Sequence, residues 1–255
     1  MILYSTLRCK YSLNLLQRIL QNSKNKIAKR PQQIFDYFLV TDFEATCNEK
    51  RNVLKPQEII EFPVLKVDGK NFEIQSVFHE YVQPVVHKEL HPFCIELTGI
   101  IQDMVDGQPH FDEILKKFQG WMESENLLNP EIKFAFVTYS DFDFNKMLPS
   151  QCKFLGIDVP SYMTEWIDIQ KCFADETTQW PNMGLKGVLD YLNITPVGRL
   201  HSGIDDCRNT IAIMKALADR GYVFKINSTF SRKKEKQYKY HEIDNIWHPI
   251  FAFTT

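Results

Sequence analysis

Two carboxylates, Asp42 and Glu44, stand two residues apart at the end of an aromatic and β-branched run, Ile34 to Cys47 (IFDYFLVTDFEATC). Alternate side chains of a strand share a face, so both acids emerge together while Phe43 turns the other way. Hard oxygen ligands of this kind suit magnesium or manganese, which keep positions open for water and phosphate. Taken alone, Asp-x-Glu at a strand end is also an ordinary solvated surface.

A second cluster lies far along the chain, in Leu200-His201-Ser202-Gly203-Ile204-Asp205-Asp206. Ser202 is the expected N-cap of a helix, and Asp205 then falls three residues in, where it closes a capping box and favours the helix dipole. That gives Asp205 a structural task and leaves Asp206 on another face, free to ligate metal. His201, in the loop just before, has an ordinary pKa of about 6.5 and suits proton transfer from an attacking water near neutral pH. Its ordinary alternative is a hydrogen-bonded loop histidine.

These fragments need elements to bring them together. The run ending in Asp42 and Glu44, followed by Glu58 to Val67 and Phe72 to Val82, reads as three strands. Asp68-Gly69 between the last two is a hairpin signal, so an antiparallel three-strand meander is expected. Leu90 to Thr98 and Phe111 to Trp121 show helical spacing. Ile132 to Thr138 returns to strand, and a short helix starts near Asp143 with Pro149 expected to break it. A short strand around Trp166 to Ile169 precedes helices over Gly184 to Leu192 and Ile204 to Ala218. The last carries Ile204, Cys207, Ile211, Met214 and Ala218 in one stripe, with Gly221 as its stop. The order predicts one α/β domain with a mixed sheet over residues 33–226, a basic leader over 1–32 and a polar tail over 227–255.

Composition agrees with a globular domain, at 44% apolar and 24% charged over 255 residues. The net charge of −2 conceals an uneven distribution. Residues 1–35 hold seven basic side chains and no acid, leaving 23 basic against 32 acidic residues in the rest. Overall charge therefore gives no support to nucleic-acid binding, and a metal-filled acidic site reconciles the two. The leader, with Leu13, Leu16 and Leu20 on one helical face, has the pattern of a mitochondrial transit peptide or of a solvated basic segment. The tail's basic run, Ser231 to Tyr240, reads as solvated chain. The six cysteines are scattered without a Cys-x-x-Cys pair and read as free thiols. No stretch has the length and apolarity of a membrane span. The expectation is an intracellular protein, mitochondrial or cytoplasmic, that is neither secreted nor membrane-bound.

Five stretches occur in a telling order: Val40 to Cys47 (VTDFEATC), Glu58 to Pro63 (EIIEFP), Phe93 to Ile100 (FCIELTGI), Thr138 to Leu148 (TYSDFDFNKML) and Gly198 to Asn209 (GRLHSGIDDCRN). Together they resemble the DEDDh branch of the 3'-5' exonucleases, and within it the Eri-type (3'hExo-like) exoribonucleases, over about Tyr37 to Leu217. The resemblance implies a ribonuclease H-like mixed sheet flanked by helices. It makes Asp42, Glu44, Asp143 and Asp206 ligands of two Mg2+ ions, for which Mn2+ can substitute, and His201 the general base. It also implies a single-stranded RNA 3' end as substrate, with DNA as the alternative on the same scaffold and an inactive nucleic-acid-binding module as a further one. Phe93, Leu97, Thr98 and Phe142 are its candidate substrate contacts. The chain departs from the family where glycine and tryptophan commonly precede the third acid, since Ser140 and Phe142 stand there. Asp141 is read as the helix N-cap, which places Asp143 in the first turn.

Overall fold

The computed structural model describes residues 30–49, 54–181 and 184–230, and the backbone of a hairpin at Tyr240–Ile243 and Ile246–Pro249. The leader before residue 30 and the basic run 231–239 lie outside the described residues.

The run of β-branched and aromatic residues up to Thr41 forms β1 (Tyr37–Thr41), and a two-residue strand β2 (Glu44–Ala45) follows it. Then come β3 (Ile59–Asp68) and β4 (Ile74–Tyr81), and β1 to β3 and β3 to β4 both pair antiparallel, as the meander expectation requires. The turn between them is longer than an Asp-Gly two-residue hairpin. The Asp68 Oδ1 accepts from the Lys70 and Asn71 N–H groups, and Gly69 lies so close to the Phe35 carbonyl that a Cβ would collide with it. Close approach of backbone, and not a left-handed turn, is what needs the glycine there.

β5 (Phe134–Thr138) pairs parallel to β1, β6 (Glu165–Asp168) pairs parallel to β5, and β7 (Ser228–Thr229) closes the far side antiparallel to β6. This last strand carries the sheet just beyond Ile226. The helices are α1 (Pro92–Thr98), α2 (Gln102–Val105), α3 (Phe111–Ser124), α4 (Leu148–Leu155), α5 (Ile169–Thr177), α6 (Gly184–Tyr191) and α7 (Gly203–Asp219).

Strand alternation divides the core between the two faces of the sheet. Phe38, Val40, Val137 and Ile167 pack under α5, α6 and α7, whereas Leu39, Phe62, Val64 and Phe136 pack under α3 and α4. Phe62 is fully buried, with its ring 4.9 Å from Phe43 and 5.0 Å from Phe118. It therefore supports, from below, the residue between Asp42 and Glu44.

One local expectation is corrected and one helix is added. Pro149 does not end the helix after Asp143. It occupies the first turn of α4, where its missing N–H costs little. The preceding turn, Asp143–Met147, widens to a π-turn, with the Leu148 N–H donating to the Asp143 carbonyl. The segment after β6, for which no element is expected from the sequence, is the helix α5, started by Asp168, whose Oδ1 accepts from the Gln170 N–H at 2.9 Å.

Truncating Phe62 to alanine removes a side chain with no room to collapse around it. Phe62→Ala is expected to cost about 3–5 kcal/mol in urea unfolding; a loss under about 1 kcal/mol would contradict this account of the core.

Candidate active site

The site begins at an interruption in the β1 ladder. The register that pairs Thr41 with Val64 resumes with Glu44 opposite Glu61, so Asp42 faces Pro63. Proline has no N–H to return to the ladder, and it is rare in a strand paired on both sides. The Thr41 hydroxyl donates to the Pro63 carbonyl at 2.7 Å, and the Phe43 N–H turns away to the Asp143 Oδ1 at 2.9 Å. Breaking the ladder thus frees the chain around Asp42 and ties it to the third acid. Phe43 points into the core while Asp42 and Glu44 join the acid cluster.

The helix α7 starts against this break. Gly203, at its first turn, packs so closely on the strand end that a Cβ would lie 2.5 Å from the Asp42 carbonyl oxygen. Only glycine permits that distance. The N-cap expectation is corrected here: Ser202 occupies the cap position but its side chain makes no capping bond. Glu61, on β3 and 1% exposed, supplies the cap instead, accepting from the Gly203 N–H at 2.9 Å and the Ile204 N–H at 3.3 Å. The His79 Nε2 lies 2.7 Å from the same carboxylate. A carboxylate at a helix N-terminus is favoured by the dipole and by the unpaired N–H groups, for about 0.5–2 kcal/mol.

Asp205 has a structural task, but not the capping box. Its Oδ2 accepts from the Arg199 N–H at 3.0 Å, and its Oδ1 pairs with Arg208 at 2.6 Å. Asp206, one residue on, is 6% exposed and faces the cluster; its Oδ2 accepts from the His201 N–H at 2.8 Å, while its Oδ1 is buried with no hydrogen-bond partner. That bond holds His201 at φ +62, in the left-handed region, with its side chain exposed. Ligand atoms of Glu44, His201 and Asp206 lie within 4.8 Å of one another.

Asp143 is 5% exposed at the start of the π-turn. The N-cap reading of Asp141 is corrected: the Ser140 Oγ accepts from the Phe142 N–H at 3.3 Å, and the Asp141 carboxylate takes the Asn145 side-chain amide at 3.2 Å. Asp143 nevertheless stands in the first turn.

Burial disturbs all four acids, and the others' charges add to it at Asp42 and Glu44. Burial first, and then the charges of Asp143, Glu44, Asp206 and Glu61, push the Asp42 carboxyl well above its ordinary range. Burial and then the nearby Glu61 do the same to Glu44. Burial lifts Asp143 to about 7 against the bond from the Phe43 N–H, and lifts Asp206 too. Such a crowd of carboxylates, with a buried orphan oxygen at its centre, fits divalent cations, which neutralise it and satisfy that oxygen. The donor set is carboxylate oxygen with one imidazole and no thiolate.

The substrate-contact candidates divide. Helix α1 flanks β2, with the Cys94 Sγ 3.6 Å from the Ala45 carbonyl. On it Phe93 and Leu97 are half-buried. Thr98 is buried, and its hydroxyl is occupied by the Cys94 carbonyl and the Ile100 N–H. Phe142, beside Asp143, is 48% exposed, a large area for a phenylalanine and one available for stacking. Glu61 and Gly203 were missed as site residues by motif reasoning. The available signal was Pro63, a proline inside an apolar strand pattern, which marks a break. Among the described residues no helix is long and apolar enough to cross a membrane, and the five cysteines there are free thiols.

Because folding favours protonated Asp143, the folded chain binds more protons than the unfolded one between about pH 4 and pH 7. Stability in chelator should therefore fall as pH rises through that window, and Asp143→Asn should flatten the decline in thermal melts; a rise would refute the burial of this acid. Gly203→Ala should push α7 off the strand end and weaken Mn2+ binding by at least about tenfold in calorimetry, through misplacement of Asp206. Unchanged affinity would show that the close approach to Asp42 is not needed.

A family model described as exonuclease matches residues 39–214. Human ERI1 exoribonuclease 3 is 52% identical over 198 residues, 78% of this chain and 58% of that protein, so the chain spans somewhat over half the length of such relatives. A crystallographic structure of the nuclease domain of 3'hExo, a DEDDh family member, bound to rAMP, matches with a TM-score of 0.75 at 33% identity, covering 78% of this chain and all of that one. A structure of 3'-end-specific recognition of histone mRNA stem-loop by 3'-exonuclease matches with a TM-score of 0.75 at 28% identity, over 95% of this chain and 82% of that one. The mixed sheet is thus the ribonuclease H-like sheet of these nucleases, and divalent-metal dependence follows from the family. On its fold, its acid cluster and these similarities, the chain belongs to the exonuclease family, in the DEDDh branch beside the Eri-type (3'hExo-like) exoribonucleases.

Proposed function

We propose that this chain is a 3'-5' exoribonuclease that removes nucleotides from single-stranded RNA 3' ends by hydrolysis, with Mg2+ as its working ion. The observation that carries this reading is the convergence of Glu44, His201 and Asp206 on one spot, inside a cluster whose remaining acids are Asp42 and Asp143. The names of the relatives, exoribonucleases, and the rAMP in the matched nuclease domain support RNA over DNA.

Asp42, Glu44, Asp143 and Asp206 would hold the cations. When bound, two such ions would offset the four carboxylate charges, let the phosphate approach and lower the pKa of a water. The chain's own residues do the rest. The Phe43 N–H fixes Asp143, and the Asp206 Oδ2 fixes the His201 backbone. His201, on an exposed loop, accepts a proton from the attacking water at a ring nitrogen. Phe142 and Phe93 offer ring faces to the terminal bases, worth ~1–3 kcal/mol per stacked base, and Leu97 and Thr98 belong to the same wall.

Asp42→Ala should abolish Mg2+-dependent shortening of a 5'-labelled RNA oligonucleotide. His201→Ala should retain metal binding and lose about 10²–10⁴-fold in rate. Activity surviving in excess chelator, or equal in wild type and Asp42→Ala, would defeat the reading. Faster digestion of a matched DNA strand would replace RNA with DNA as substrate.

A further inference from the structure

One side chain joins the two walls of the site. The guanidinium of Arg199 donates from Nη2 to the carbonyls of Glu96 and Leu97, the latter at 3.3 Å, at the C-terminal end of α1. Those carbonyls are among the last of the helix and lack partners within it, and a cation is favoured there by the dipole. Room for the guanidinium exists because Gly99 follows, at φ +78; a Cβ on Gly99 would collide with the Arg199 Nη1. The main chain of the same residue is held from α7. Its N–H donates to the Asp205 Oδ2 at 3.0 Å, its carbonyl accepts from the Ser202 N–H at 3.3 Å, and Gly198, at φ +66, packs directly on the Asp205 carboxylate. Two residues later, the His201 N–H is bonded to Asp206.

We infer that Arg199 is a positioning residue for His201: its side chain staples the loop bearing the base to α1, which bears Phe93 and Leu97, and so fixes the base against the bound RNA end. This rests on the exoribonuclease reading. Both bonds leave from Nη2, whose two hydrogens are held in the guanidinium plane, whereas a lysine ammonium is a point charge on a flexible stem. Asp205 and Gly99 support the staple without touching substrate.

Two variants test it by different routes. Arg199→Ala removes the staple, and Gly99→Ala displaces it while leaving its charge in place. Both are expected to lower kcat on a labelled oligoribonucleotide by about 10–100-fold, the scale of an ångström-sized misplacement. Mn2+ binding should stay within about twofold, because the staple makes no contact with the acids. In a His201→Ala background, Arg199→Ala should cost less than about twofold, since two residues acting as one unit are not additive. The same loss in both backgrounds, or a loss confined to KM that shrinks as salt rises, would make Arg199 a direct phosphate contact and overturn the inference. Amide hydrogen exchange of His201 and Ser202 gives a readout independent of turnover. Exchange accelerated at least about tenfold in both variants supports the staple, and unchanged exchange overturns it. A wild type that degrades no RNA would defeat the exoribonuclease reading alone, and the exchange result would still decide the staple.

Discussion

The site depends on one contact, the docking of the α7 N-terminus onto the broken end of β1. Three residues make it possible. Pro63 leaves the Asp42 carbonyl without a ladder donor, Gly203 brings a helix within reach of that carbonyl, and Glu61 caps the helix from β3. An ordinary N-cap would have satisfied the helix locally and left its position free. A cap supplied by another strand instead sets where Asp206 lies relative to Asp42 and Glu44. Local stability and site geometry are therefore secured by the same bonds.

That arrangement carries an electrostatic cost. Burial raises all four acids, repulsion from the other site acids adds to it at Asp42 and Glu44, and Glu61 adds a fifth carboxylate against Glu44. The fold keeps the crowd together through bonds that fix individual oxygens: Phe43 holds Asp143, and His201 holds one oxygen of Asp206 and leaves the other without a partner. An acidic domain can approach a polyanion once cations fill such a cluster. The left-handed backbone of His201 belongs to the same economy, since a residue held at φ +62 persists only where its neighbours over-determine it.

Local capping rules failed at the site and held elsewhere. Asp168 caps α5 by the usual side-chain bond, as short-range chemistry predicts, whereas Ser202 and Asp141 do not make the bonds their spacing suggests. Pro149 likewise did not end its helix, because it stands in the first turn of α4, just after the π-turn. These departures cluster where function displaces local preference, which is where agreement between levels is expected to break.

The sequence by itself determined the strands, the two-sided burial and the residues of the acid cluster. These follow from side-chain periodicity and from motifs read along the chain, and both are local quantities. Asp42 and Glu44 share a face because a strand alternates, whatever surrounds it. Only the tertiary structure decided which carboxylate caps α7, which oxygen of Asp206 stays free, and that Arg199 reaches α1. Each of these pairs residues about 100 positions or more apart, or selects between two chemically equal oxygens. No periodicity encodes such choices, because they are settled by packing distances between elements.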